Sequence, residues 1–229
     1  MMYRVVVLFV VVTLMGGFVA DEARCENFAG SLSSADSEIV ALGDWAAGAV
    51  TLSWNITDMG TYYHYEYTLD VPQSDISHFI IGVSDTFESS NFWGETGTFG
   101  DTIIGDFDNT NGNPDIPGTL HGLKFDDTSG TTLTISFDSD RQPVWGDFYA
   151  KDGVHTEPSG TKITNQVWNT GFSLANPTDP PANGTINNHV LVPDTMSVVP
   201  VLVPEPTTVS LLLTGLLGLA WVVRRRCSR

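Results

Sequence analysis

A strict two-residue alternation of apolar and polar side chains in the first half of the chain is the feature that most constrains its fold. Every second residue is apolar between positions 50 and 56, and after a turn at 58–60 the alternation resumes from 62 to 71. A period of two places alternate side chains on opposite faces of a β-strand, so that one face is buried. The two segments therefore predict a β-hairpin. Its expected core face carries Trp54, Tyr63, Tyr65 and Tyr67.

Further short strands are predicted along the rest of the body. A second hairpin is expected between residues 120–125 and 131–137, across the turn at 126–130. Other strand signals lie at 76–83, 144–150, 166–174 and 189–192. Short strands separated by Gly, Asn, Asp and Pro are typical of antiparallel sandwiches. The predicted fold class is all-β, an antiparallel β-sandwich or jelly-roll-like body without an amphipathic helix.

Both ends of the chain are apolar. At the N-terminus, Arg4 precedes an apolar stretch that ends in small residues up to Ala20, as in a signal peptide. Near the C-terminus, Thr207–Val223 has about 17 residues, roughly 25 Å as a helix, which is the short limit for a single transmembrane helix. The basic end, 224–229, favours the cytoplasmic side of that span. The body is then expected outside the membrane.

Three elements of the tail occur in a recognisable order. Pro204, Glu205 and Pro206 precede the apolar segment, and Arg224, Arg225 and Arg226 follow it. This arrangement resembles the bacterial PEP-CTERM sorting signal. The resemblance implies that an exosortase recognises and removes the tail. The same tail is labelled an ice-binding protein C-terminal domain in some family naming, which says nothing about ice binding here. The alternative is an ordinary single-span anchor.

The predicted organisation follows from these segments. Residues 1–20 are the signal peptide, 21–192 the β-sandwich domain, 193–203 an extended stalk and 204–229 the sorting signal. The precursor is expected to be a single-pass inner-membrane protein, and the mature form is expected at the cell surface or in the extracellular matrix. Cys25 and Cys227 fall on opposite sides of the membrane, so no intrachain disulfide is predicted.

The exported part is strongly acidic. The chain has a net charge of −17, and every acidic residue except Glu205 precedes the tail. Such a charge repels nucleic acid and anionic membrane surfaces and attracts cations. Nucleic-acid binding is therefore not expected.

A loop rich in oxygen ligands suggests a calcium site. Asp106, Asp108, Asn111 and Asp115 lie close together in the sequence, and calcium prefers such hard ligands. The spacing differs from an EF-hand, because Asn111 stands where that loop needs Gly and Pro117 where it needs Glu. The alternative is a surface turn.

No catalytic motif is recognisable, and the protein is not expected to be an enzyme. Asp138 and Asp140 are a candidate pair for a glycosidase, although so acidic a chain offers many such pairs. A structural salt link from Arg141 to Asp138 or Asp140 is the preferred prediction. Each histidine is predicted to lie at the surface: His64, His78, His121, His155 and His189.

Aromatic residues supply the remaining candidate site. Tyr62, His64 and Trp93 are predicted to remain accessible and to suit contact with sugar rings. The leading hypothesis is an exported, exosortase-sorted structural or adhesive protein of the envelope or extracellular matrix. The alternative is a carbohydrate-binding module or carbohydrate-active enzyme acting on exopolysaccharide.

Overall fold

The computed structural model describes residues 26–153, 155–156, 160 and 162–197, and none of these lies in an α-helix. In chain order the strands are β1 (Asn27–Ser33), β2 (Ile39–Leu42), β3 (Thr51–Asp58), β4 (Tyr63–Asp70), β5 (His78–Gly82), β6 (Phe92–Gly97), β7 (Thr102–Phe107), β8 (Leu120–Asp126), β9 (Thr132–Ser139), β10 (Arg141–Gly146), β11 (Phe148–Lys151), β12 (His155–Thr156), β13 (Lys162–Ile163), β14 (Gln166–Asn169) and β15 (Val190–Ser197). Short 3₁₀ helices span Ser34–Asp36, Gly43–Ala47, Ser89–Asn91 and Thr170–Ser173.

The strands form two main antiparallel sheets. The five-stranded sheet has the order β1-β3-β4-β9-β6, and the six-stranded sheet has the order β2-β14-β11-β5-β8-β7. Two smaller antiparallel pairs, β10-β15 and β12-β13, complete the described part. The prediction of an all-β body with antiparallel sheets is confirmed.

One core lies between the two main sheets. The ring of Tyr67 in β4 lies 6.1 Å from that of Phe79 in β5, and Phe125 in β8 lies 5.9 Å from Phe137 in β9. All four side chains are almost fully buried. Burying one such aromatic side chain stabilises the fold by about 2 kcal/mol. The packing of two sheets across this aromatic layer is consistent with a β-sandwich.

The first predicted hairpin is confirmed. β3 and β4 pair along their full length, with Thr51 opposite Asp70 at one end and Asp58 opposite Tyr63 at the other. Trp54 lies opposite Tyr67. Trp54, Tyr65 and Tyr67 face the core, while Tyr63 is half-buried at its margin. The opposite face of β4 presents His64 and Glu66.

The second predicted hairpin is wrong. β8 pairs with β5 and β7, whereas β9 pairs with β4 and β6, so the segment between them crosses from one sheet to the other. Both strands alternate as expected, but alternation identifies a buried face and not a partner strand. A short turn-like connection serves a hairpin and a crossing between sheets equally well.

The C-terminal boundary of the folded part also differs from the prediction. β15 continues to Ser197 and pairs with β10, with Pro143 opposite Pro193 and Arg141 opposite Ser197. Residues 193–197, assigned to the stalk by sequence, therefore belong to a strand. The predicted signal peptide, Cys25, the rest of the stalk and the sorting signal lie outside the described residues. Within the described ranges, no helix has the length and apolar character needed to cross a membrane.

Candidate functional site

The outer face of the five-stranded sheet brings the predicted sugar-contact residues together. His64 of β4 lies opposite Asp138 of β9, and Asp138 in turn lies opposite Trp93 of β6. Directly opposite residues on adjacent strands project from the same face of a sheet. Tyr62 immediately precedes β4 and contacts Trp93. We call Tyr62, His64, Trp93 and Asp138 the aromatic–histidine patch.

Two of its members form a partly exposed aromatic pair. The ring centroids of Tyr62 and Trp93 are 5.8 Å apart, and the planes meet at 60°, an edge-to-face arrangement. Trp93 remains 41% exposed, whereas Trp45, Trp54 and Trp145 are buried. A large apolar side chain in this position offers a flat surface to a ligand. The prediction that Trp93 is accessible is confirmed.

The other two members form a polar pair. Nδ1 of His64 lies 2.7 Å from Oδ1 of Asp138, a hydrogen bond that fixes the imidazole against the carboxylate. Both side chains are partly exposed. The pair therefore combines hydrogen-bonding groups with the aromatic surface beside it. The sequence predicted His64 here and assigned Asp138 to a different role, because only the β4–β9 register shows that they are neighbours.

A buried polar cluster positions β6 behind the patch. Nη2 of Arg141, whose side chain is almost fully buried, donates to Oδ1 of Asn91 at 2.9 Å and to the Thr86 carbonyl at 3.0 Å. Nε of Arg141 lies 3.6 Å from Oδ1 of Asp140, and Nδ2 of Asn91 donates to the same carboxylate. The predicted salt link of Arg141 is therefore confirmed with Asp140. Asn91 ends the 3₁₀ helix that leads into Trp93, so this cluster sets the start of β6.

The loop predicted to bind calcium begins at the end of β7 and covers the outer face of the six-stranded sheet. Ile116 packs there with Ile80, Leu120 and Tyr149, and the Tyr149 hydroxyl donates to the Pro114 carbonyl at 2.7 Å. The loop thereby closes a second, smaller core.

Three of the four predicted calcium ligands are engaged in local contacts. Oδ1 of Asp106 lies 2.7 Å from Nδ1 of His121. Oδ1 of Asp108 accepts from the backbone and hydroxyl of Thr110, and these hydrogen bonds lower the pKa of that carboxyl. Oδ1 of Asn111 accepts from the backbone of Asp108. Asp115 adopts a left-handed conformation, with φ of 60°.

Calcium binding in this loop stays a prediction. Among the described residues, no group of three or more His, Cys, Asp or Glu side chains is arranged to hold a metal ion. Titration of the full chain with Ca²⁺ tests the loop. Heat that disappears in an Asp106→Ala, Asp108→Ala variant would confirm it, and no heat in either protein would contradict it.

Two histidines are buried, which contradicts their predicted surface location. His78 is 4% exposed and His189 is fully buried. Burial lowers the pKa of His78 to about 3, assisted by the charges of Lys124 and Lys151. Nδ1 of His189 lies 3.1 Å from Oδ1 of Asp147. The side chain of His155 lies outside the described residues.

Comparison with known proteins identifies the tail. Residues 202–226 match the family model of the PEP-CTERM protein-sorting motif. The chain carries a PEP-CTERM sorting motif. The resemblance of its Pro-Glu-Pro and arginine cluster to such a signal is thereby confirmed. The PEP-CTERM motif indicates that the protein is exported and processed by an exosortase.

The body of this PEP-CTERM protein has few informative matches. No curated protein matches the chain significantly. A crystal structure of the KRT10-binding region domain of the pneumococcal serine-rich repeat protein PsrP aligns with 56% of this chain and 86% of its own, at 10% identity and a TM-score of 0.21. That similarity is too low to support an argument about fold or ligand.

Proposed function

We propose that the protein is a structural or adhesive component of the cell envelope or extracellular matrix, with no catalytic activity of its own. The observation that carries this proposal is the PEP-CTERM motif at 202–226, which follows closely on a folded β-sheet body whose last described strand ends at Ser197. A strongly acidic body attached to a sorting signal suits a soluble, surface-delivered protein.

The proposed route has two steps. A signal peptide at 1–20 directs export, and Thr207–Val223 then holds the precursor in the inner membrane with Arg224–Arg226 on the cytoplasmic side. An exosortase next separates the body from the tail near Pro204–Pro206. The mature body is released to, or transferred onto, the cell surface or matrix.

Mass spectrometry of the mature termini, combined with cell fractionation, tests this route. We expect surface-fraction protein to lack Arg224–Arg226. A variant with alanine at Pro204, Glu205 and Pro206 should retain the tail, while a Pro180→Ala, Pro181→Ala control should be processed normally. Intact tails in the wild-type surface fraction would contradict processing and indicate a permanent anchor.

A second candidate function is binding of exopolysaccharide, which the aromatic–histidine patch favours. An exposed indole beside a tyrosine ring and a hydrogen-bonded His–Asp pair can contact both the apolar face and the hydroxyl groups of a sugar. A pull-down with the cell's own matrix polysaccharide tests this binding. Failure of the body to retain any polysaccharide would contradict it and leave a purely structural role.

Binding is a better proposal here than hydrolysis. A glycosidase needs an acid and a base or nucleophile that act on one bond. Asp138 pairs with His64 on the outer face, whereas Asp140 is engaged with Arg141 and Asn91. The candidate carboxylate pair is thus divided between two separate contacts.

A further inference from the structure

Among the edges of the two main sheets, that of β7 is open along a regular strand. β7 pairs with β8 over all six residues, and no described strand pairs with its other side. The edge of β1 is closed, because the Ala29 N–H donates to Oδ1 of Asn183 and the Gly184 N–H donates to the Ala29 carbonyl. β6 is irregular between Trp93 and Thr96, and β2 has only four residues. β7 is therefore the edge best suited to pair with a further strand.

The register shows which backbone groups face this edge. The Val83 N–H donates to the His121 carbonyl at 2.9 Å, so the odd-numbered residues of β8 point toward β5 and the even-numbered ones toward β7. The register partners of those even-numbered residues are the odd-numbered residues of β7. The N–H and C=O groups of Thr102 and Ile104 therefore point away from β8, toward the open edge.

A groove of about 620 Å³ lies beside the same two residues. It is lined by Thr102 and Ile104 together with residues 87–89, Phe92 and Glu95. We call it the edge groove. Because it is open space next to the two residues whose backbone faces outward, an added strand has room there.

A six-residue apolar segment follows the last described strand. Residues 198–203 read Val-Val-Pro-Val-Leu-Val and contain no charged or hydrogen-bonding side chain. Valine favours β-strands, and six such residues left in water would form an apolar patch on an exported protein. The segment also has the same length as β7.

The end of β15 brings this segment to the edge groove. Ser197 lies opposite Arg141, and Nη2 of Arg141 donates to the carbonyl of Thr86, the residue before the groove wall at 87–89. Six extended residues span about 20 Å, enough to run the length of β7 from this starting point.

The direction suits antiparallel pairing. Thr86 follows Val83, which is hydrogen-bonded to His121, the register partner of Asp106. A segment that starts near Thr86 therefore enters at the Asp106 end of β7 and runs toward Thr102, opposite to the direction of β7.

We propose that residues 198–203 add to the six-stranded sheet as a further antiparallel strand along β7. Val201 exchanges backbone hydrogen bonds with Ile104, and Val203 does so with Thr102. The valine side chains then lie over the edge groove, on the same face as that of Ile104. The sorting motif, which follows at once, is thereby held at the edge of the folded body.

This register also accommodates the proline of the segment. Pro200 lies opposite Gly105 with its nitrogen turned away from β7, where no donor is needed. A Cβ added to Gly105 would meet no atom beyond its chain neighbours within 4 Å, so the proline ring has space. Leu202 lies opposite Ile103 and covers this side chain, which is otherwise 43% exposed.

A second copy of the chain is a less suitable occupant. Two bodies with a net charge of −17 each repel one another, and Glu88 and Glu95 line the edge groove. The uncharged segment of the same chain brings no such repulsion.

Cysteine crosslinking tests the proposal in the full chain, in membranes of a host without an exosortase and with Cys25→Ser and Cys227→Ser as background. We expect Ile103→Cys with Leu202→Cys to form a disulfide within one chain, because opposite residues of this kind lie about 4.5 Å apart. Ile103→Cys with Val201→Cys is the matched control. It should crosslink about tenfold more slowly, since Val201 projects from the other face.

Proline variants of the first cysteine pair test the backbone pairing. Val201→Pro removes the N–H that faces Ile104 and should slow crosslinking by about tenfold. Val198→Pro removes an N–H that faces away and should leave the rate unchanged. Protease resistance shows whether each body is folded, and Gly105→Cys with Pro200→Cys replaces a pair that misfolds.

Three outcomes would overturn the proposal: no crosslink in folded chains, equal rates at positions 201 and 202, or disulfides between chains, which would indicate a second copy as the occupant. The crosslink is measured before any cleavage, so its failure would leave the proposed exosortase processing standing.

Discussion

Nδ1 of His64 lies 2.7 Å from Oδ1 of Asp138 across the β4–β9 ladder. This contact places a polar pair beside Trp93, because Asp138 is also the register partner of Trp93 in the adjacent strand β6. Three strands thus contribute to one exposed surface. The pairing of β9 with β4 and with β6 brings these residues together on one face. No member is close to all the others in the sequence.

Replacement of Trp93 by alanine should weaken retention of matrix polysaccharide by about tenfold. The indole supplies exposed apolar surface to the patch, and loss of such contact costs on the order of 1 kcal/mol. Ile103→Ala is a matched control, since Ile103 is 43% exposed and Trp93 41% exposed, and Ile103 lies in the other sheet. Co-sedimentation with the polysaccharide measures the effect. Equal losses in the two variants would contradict a specific contact at the patch.

Acid should destabilise the fold through His78. Its pKa is about 3 in the folded protein and 6.5 ordinarily, so below pH 6.5 the unfolded chain takes up a proton that the folded chain does not. Stability is then lost as the pH falls toward 3, by about 3 kcal/mol at about pH 4. Urea unfolding at about pH 7 and pH 4 should show this dependence reduced in His78→Gln. His64→Gln, at the surface, should keep it; equal dependence in all three proteins would rule out His78 as the cause.

Loss of the Tyr67 hydroxyl should cost about 1–2 kcal/mol of unfolding free energy. This hydroxyl donates to the Leu191 carbonyl at 2.8 Å and thereby joins β4 to β15 inside the core. Burial raises the pKa of Tyr67 well above 10, so the donor proton is retained at physiological pH. Thermal unfolding of Tyr67→Phe measures the loss. Tyr62→Phe, at the surface, should unfold like the wild type, and an equally stable Tyr67→Phe would show that the bond contributes little.

Alanine at Gly30 should destabilise the protein by about 1–3 kcal/mol. Gly30 lies opposite Trp54 in the β1–β3 ladder, and a Cβ there would lie 2.3 Å from Cζ2 of the indole and 2.5 Å from the Gly184 carbonyl oxygen. The backbone oxygen cannot move aside as a flexible side chain does. Gly105→Ala in β7 is the control, because no atom beyond its chain neighbours lies within 4 Å of its added Cβ. Chemical unfolding compares the two, and similar midpoints would contradict the steric argument.

The periodicity of the sequence predicts local faces better than long-range pairing. The β3–β4 hairpin and the buried faces of Trp54, Tyr65 and Tyr67 follow from alternation alone, because both are local properties. The pairing partners of β8 and β9 do not follow from alternation, because the alternation of each strand would be satisfied in either sheet. The three predicted members of the aromatic–histidine patch were found by residue type, but their convergence depends on the pairing of β9 with both β4 and β6.

The burial of His78 shows a second limit of the sequence. β5 is buried on both faces because the loop after β7 packs over the outer face of its sheet through Ile116 and Pro114. The composition of that loop, rich in Asn, Asp and Gly, indicates a solvated turn. Only the tertiary packing shows that it also covers a small apolar core and shields a titratable residue from solvent.

The position of β15 has a mechanical consequence for a body held at its C-terminal end. A force applied after Ser197 acts first on β15. This strand is hydrogen-bonded to β10 in an antiparallel ladder, and the Tyr67 hydroxyl of β4 donates to its Leu191 carbonyl. β4 also carries His64 of the aromatic–histidine patch. A polymer bound at the patch, as proposed above, would therefore pull on the same strand that Tyr67 joins to β15. The force is then carried through the interior of the fold. Mechanical unfolding therefore disrupts the aromatic layer between the two main sheets as well as separating β15 from β10.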